Sequence, residues 1–153
     1  MSWKAAFAAG VVAAVVSTVF EILLWATFAD ALPAILWRDG RFAAAIVLGP
    51  GVLEPAATFD ARVMVVASLL HAALSIVYAV VLAALVAGLQ LASATVVGAV
   101  FGVALYVINL YGFTTVFPWF AVDRDAITLA AHVAFGVSAN ATYAALRQRT
   151  HRR

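Results

Sequence analysis

Residues 68–78 read SLLHAALSIVY, a histidine set inside a long apolar run. Residues 128–140, TLAAHVAFGVSAN, repeat that plan, with His132 standing where the first stretch has His71. An imidazole in a helix this apolar turns towards the interior of a bundle, because hydrocarbon solvates it poorly. The fold implied is all-α, with the remainder of the chain supplying membrane helices and the loops beside them.

Composition supports that reading. Of the 153 residues 67% are apolar and only 10% charged, and the mean hydropathy is +1.09. A water-soluble domain carries about a quarter of its residues as charges, so this chain reads as an integral membrane protein with the lipid bilayer as its first partner. The net charge of +2 does not indicate nucleic acid, because Arg147, Arg149, Arg152 and Arg153 crowd the last seven positions. Such a run after an apolar helix is the cytoplasmic flank of a span. Cysteine is absent, which excludes disulfides, thiolate metal sites and a cysteine nucleophile.

Four spans are expected, at about 3–28, 62–89, 96–117 and 127–146, within a single transmembrane domain covering 1–153. Each holds roughly the 20 apolar residues needed to cross a bilayer. The first run is longer than a signal-peptide core and is interrupted by Glu21, so a retained helix is expected. The outer loop, 30–60, is broken by prolines and glycines and includes RFAAAIVL at 41–48. That run is too short to span and reads as an interfacial helix, with Trp37 and Phe42 at headgroup level. Lys4 and the basic tail at 147–153 place both termini in the cytoplasm.

An internal repeat is visible. Gly10 aligns with Gly98, Ala14 with Gly102 and Glu21 with Asn109, while His71 aligns with His132 and Ser75 with Gly136. These matches describe two parallel helical hairpins. Gly98 and Gly102 form a small-residue packing motif, a place for a neighbouring helix or for a larger membrane complex to dock.

Glu21, His71, Asn109 and His132 are the candidate proton-handling or ligand residues. Counted from the span ends, all four lie roughly 8–14 Å below the outer surface. Ser68, Ser75 and Tyr78 share a helical face with His71, and Asn140 falls in the row of His132. Four readings compete for this layer. Structural hydrogen bonds between helices are typically worth about 0.6 kcal/mol. Proton handling suits Glu and His, whose charge changes in or near the physiological range. A metal or haem site would use His71 and His132 as ligands, with Glu21 completing a small metal site. Membrane-embedded catalysis is the fourth, but no zincin, phosphate-loop or serine-hydrolase motif is present, and a non-enzymatic protein is expected. The charged pairs Arg38-Asp39 and Asp123-Arg124-Asp125 read as solvated loop salt pairs. Tyr111, Phe113, Phe117, Trp119 and Phe120 read as an interfacial aromatic belt rather than a ligand pocket.

HAALSIVYAV, a following span that ends in a Phe-Pro turn, and AHVAFGVSANATYAALRQR resemble the YagU-like bacterial inner-membrane proteins. The likeness covers about 63–149 and carries over His71, Ser75 and His132. It implies an accessory or stress-related inner-membrane protein linked to acid tolerance. Similar short sequences are also labelled sodium:proline symporters, but four spans have no room for the paired broken helices of such carriers. A transport role would therefore require a homo-oligomer.

Overall fold

The computed structural model describes residues 1–29 and 31–151, and every regular element among them is helical. Arg152 and Arg153 of the basic tail lie outside the described residues, as does the side chain of Arg149. Five α-helices carry the fold: α1 (Trp3–Phe28), α2 (Ala34–Leu48), α3 (Ala61–Val86), α4 (Leu91–Val107) and α5 (Ala126–His151). Among the described residues, three helices are long and apolar enough to cross a membrane: α1, α3, and α4 continued through its irregular end to Thr115. Three such helices fit a membrane protein. The polar groups of α5 (Thr128, His132, Ser138, Asn140 and Arg147) make it less apolar than the helices it packs against.

Local chemistry sets the helix ends. The Ser2 side chain accepts from the Ala5 amide, the Asp60 carboxylate from Val63 and the Asp125 carboxylate from Thr128, so α1, α3 and α5 each begin on a capped first turn. Gly49, at φ 84°, lets the chain leave α2 in a conformation that a side chain would disfavour.

Many large apolar residues point outward, and the contacts between helices are made largely by small ones. On α1, Phe7, Val11, Val15, Val19 and Leu23 form an exposed stripe, while Ala6, Ala9, Gly10, Ala13 and Ser17 are buried. The small faces let backbones approach closely. A Cβ on Gly10 would meet the α3 backbone at Ser75 and Ile76. A Cβ on Gly98 would meet the carbonyl of Gly136, and one on Gly102 the carbonyl of His132. Gly98 and Gly102 therefore pack inside the chain against α5, which corrects their reading as a docking surface for another protein.

The helices are ordered α3, α1, α5, α4, with the most extensive interface between α1 and α5. Although α3 and α4 are consecutive, they barely touch. The Ser2 amide donates to the Tyr143 hydroxyl, and Arg147 donates to the carbonyl of Ala87. The start of α1, the α3–α4 turn and the end of α5 thus gather at one end of the bundle. That end is filled by a dry core including Ala5, Ala9, Leu82, Val86, Ala139 and Tyr143.

At the other end α2 lies against the beginning of α3 through Ala44, Val63 and Ala67. The helix is 15 residues long, starting before the 41–48 run expected from the sequence. Arg41 is buried at 5% exposure and donates to the carbonyls of Val52 and Thr58 and to the Thr58 hydroxyl, holding the loop against α2. Trp37 packs edge-on against Phe59, and Phe42 against Phe120.

Candidate functional site

Between the dry core and α2 lies a cavity of about 440 Å³, lined by Glu21, His71, Asn109 and His132 together. Each comes from a different segment: Glu21 from α1, His71 from α3, Asn109 from the end of α4 and His132 from α5. Ser75 and Tyr78 also line the cavity, but two expected members of the polar seam do not. Ser68 is exposed and donates back to the Met64 carbonyl of its own helix (2.8 Å), which removes it from the seam. Asn140 is buried at the α4–α5 contact and donates to the Thr95 hydroxyl at 3.4 Å, while its Oδ1 has no partner among the described residues. Its helical row matched that of His132, but position along the helix separates it from the cavity.

Asn109 reaches the site through a break in α4. Residues Ile108–Gly112 form a π-helical turn, followed by a 3₁₀ turn at Phe113–Thr115. Such a turn frees carbonyls that the bilayer cannot satisfy. Arg124 supplies the partner, donating from Nε to the Leu110 carbonyl (2.7 Å) and from Nη2 to the Thr114 hydroxyl (2.8 Å). Its guanidinium also stands over the Tyr111 ring, 4.5 Å from the centroid. The break falls within the third span expected from the sequence at about 96–117.

The hydrogen bonds through Asn109 have a single direction. The His132 Nδ1 lies 2.8 Å from the Thr128 carbonyl, which can only accept, so Nδ1 carries the proton. Nε2 then accepts from the Asn109 amide nitrogen at 3.4 Å, and Asn109 Oδ1 accepts from the Tyr78 hydroxyl at 3.0 Å. Tyr78 thereby bridges α3 and the broken end of α4. His71 Nε2 lies 3.3 Å from the Thr18 hydroxyl, and its ring is also within reach of the Ala14 carbonyl. The Glu21 carboxyl is in hydrogen-bonding range of Thr128. Among the described residues no ion pair reaches Glu21.

The roof is polar where the sequence suggested solvated loops. Arg38 donates to Asp39 at 2.8 Å and to Asp123 at 2.5 Å, tying α2 to the 118–123 turn. Asp123 is only 6% exposed, and Asp39 and Asp123 both line the cavity. Burial raises the Asp39 carboxyl to about 6, against the lowering pull of Arg38. Burial and the nearby Asp39 charge raise Asp123 to about 7. Trp119 donates from its indole to the Phe42 carbonyl (3.1 Å) and closes the same seam. Phe113, Phe117 and Phe120 line the cavity, so this part of the expected aromatic belt belongs to the pocket wall. The signal for the roof was present as oppositely charged residues in two loops, but their sequence separation concealed the pairing.

Among the described residues no group of three or more His, Cys, Asp or Glu is placed to hold a metal ion. Both ring nitrogens of His132 are already engaged, so axial ligation would require breaking the chain through Asn109. Comparison of the chain with known protein families, with curated proteins and with solved structures found no match in any of the three.

Proposed function

We propose that this chain is a non-enzymatic inner-membrane protein of four spans, α5 being the fourth, whose cavity takes up and passes protons. The directional chain from Tyr78 through Asn109 to His132 carries the reading. A proton arriving on His132 Nε2 turns that nitrogen from acceptor to donor. The Asn109 amide must then reverse, presenting Oδ1 to His132 and its NH₂ to Tyr78. Proton uptake is thus coupled to the bridge between α3 and α4. His71 and Glu21 supply two further titratable groups in the same cavity.

An even number of spans is supported by the gathering of the start of α1 and the end of α5 at one end of the bundle. Lys4 and Arg147 favour the cytoplasm for that end. The repeat gains support from its glycines. Gly10 packs on α3 at Ser75, and Gly98 packs on α5 at Gly136, the position aligned with Ser75. Membership of the YagU-like group, and with it a role in acid tolerance, is proposed on His71, Ser75 and His132.

Proteoliposomes enclosing a pH-sensitive dye test the proton reading. Wild-type protein is expected to conduct protons down an imposed pH gradient. His71→Ala and His132→Ala should lose that flux while keeping wild-type helicity. Unchanged flux in both variants would overturn the proposal.

A further inference from the structure

The cavity has two features that proton transfer alone does not require: a volume of about 440 Å³, and a lining that is mostly apolar. That volume lies in the range of small-molecule pockets, roughly 300–1,000 Å³. The walls also part towards the bilayer. Because α3 and α4 barely touch, the residues on their facing sides are reachable from outside. His71 lines the cavity yet is exposed, as are Leu74 on α3 and Phe113 beyond the π turn, at 38% and 48%. An apolar molecule dissolved in the membrane can approach the cavity along this gap without crossing water.

Lining chemistry selects the charge of such a molecule. Three carboxyl groups border the cavity, Glu21, Asp39 and Asp123, while Arg38 pairs only with the latter two. Phe113, Phe117, Phe120 and Phe135 line the same cavity. Aromatic faces attract cations and favour them further when water is excluded. An anion would meet the Glu21 carboxyl with no opposing cation in hydrogen-bonding contact with it.

We infer that the cavity is a binding site for lipophilic organic cations, which reach it from the bilayer between α3 and α4. This rests on the proton reading in one respect: the cation and the protons compete for the same carboxyl and imidazole groups. Binding at alkaline pH, where the carboxyls are free of protons, is stronger than binding in acid. Besides Glu21, the titratable and charged groups around the bound cation are His71 and Tyr78 on α3, His132 on α5, Asp39 with Arg38 on α2, and Asp123 on the roof turn.

The test uses the full chain in lipid nanodiscs, with tetraphenylphosphonium as the probe and tetraphenylborate as an isostere of opposite charge. Calorimetry at alkaline pH should show saturable phosphonium binding beyond that of protein-free nanodiscs, and no such excess for the borate. Glu21→Gln should weaken the phosphonium by about tenfold or more, and Leu74→Trp, which fills the gap with bulk, should slow or abolish entry. Ser68→Ala, outside the cavity, should bind as wild type. Equal binding of both probes beyond the lipid background, no phosphonium binding, or unchanged affinity in Glu21→Gln together with unchanged entry rate in Leu74→Trp would overturn the inference. Proton release on binding, followed in weak buffer, separates the two proposals. Binding without release retains the site and counts against shared proton groups, whereas proton flux without binding retains only the proton reading.

Discussion

Replacing Arg38 with Gln should destabilise the protein strongly in alkali and weakly in acid. The Asp39 and Asp123 carboxyls stand at about 6 and about 7 when folded. Both lie above the unfolded value, so the folded protein keeps protons that the unfolded chain has already released. Their contribution to stability is present in acid and is lost as pH rises through the folded values. Arg38 offsets that loss by pairing with both carboxylates. Near pH 8 both are charged, and removing one partner of a buried pair costs about 3–5 kcal/mol. Arg38 is 30% exposed, so solvent screening places the cost at the lower end, about 3 kcal/mol. Near pH 5 both carboxyls are protonated before the substitution is made, and the loss falls to about 1–2 kcal/mol, that of the two hydrogen bonds Arg38 still donates. Unfolding curves for wild type and variant, recorded in the same detergent at both pH values, measure the difference. An equal loss in acid and alkali would refute the assignment of the roof as an ionisable latch.

Further outcomes follow from packing and from the polar chain. Gly136→Val should disrupt the α4–α5 contact, because even a Cβ there would collide with the Gly98 carbonyl; overpacking commonly costs about 1–3 kcal/mol, whereas Gly88→Val, with open space around it, should unfold close to wild type. Equal unfolding midpoints for those two variants would contradict the interface. Tyr78→Phe removes the donor to Asn109 and should cost about 0.6 kcal/mol in stability while accelerating hydrogen exchange at the 108–112 turn. Exchange there as slow as in the wild type would show that Tyr78 does not brace the break.

Much of the architecture was legible in the sequence because a bilayer reduces folding to a few strong rules. Apolar runs gave the three long helices, and the limits of 3–28 match α1. Glu21, Asn109 and His132 are partly buried, as the poor solvation of such side chains in hydrocarbon implies, whereas His71 lines the same cavity from an exposed position. Their meeting in one cavity required depth as well as periodicity, and the same rule failed for Ser68, which satisfies its hydroxyl on its own helix. Helical rows also could not separate Asn140 from His132, because a row fixes a face but not a height. The π turn left no periodic trace, since it adjusts register within an apolar run. Arg38 and Asp123 are separated by 85 positions, and local charge patterning made each look solvated.

The placing of the glycine contacts gives the bundle the mechanics of tongs. Gly10 joins α1 to α3 and Gly98 joins α4 to α5, and both lie nearer the dry end than the roof. α1 is thus clamped to α3, and α4 to α5, near that end, and the two pairs meet mainly along α1 and α5. A small rotation at that end becomes a larger displacement at the roof, where Arg38 reaches across to Asp123. Leverage of this kind makes the Arg38–Asp123 pair the contact most sensitive to how the two pairs of helices lie against each other.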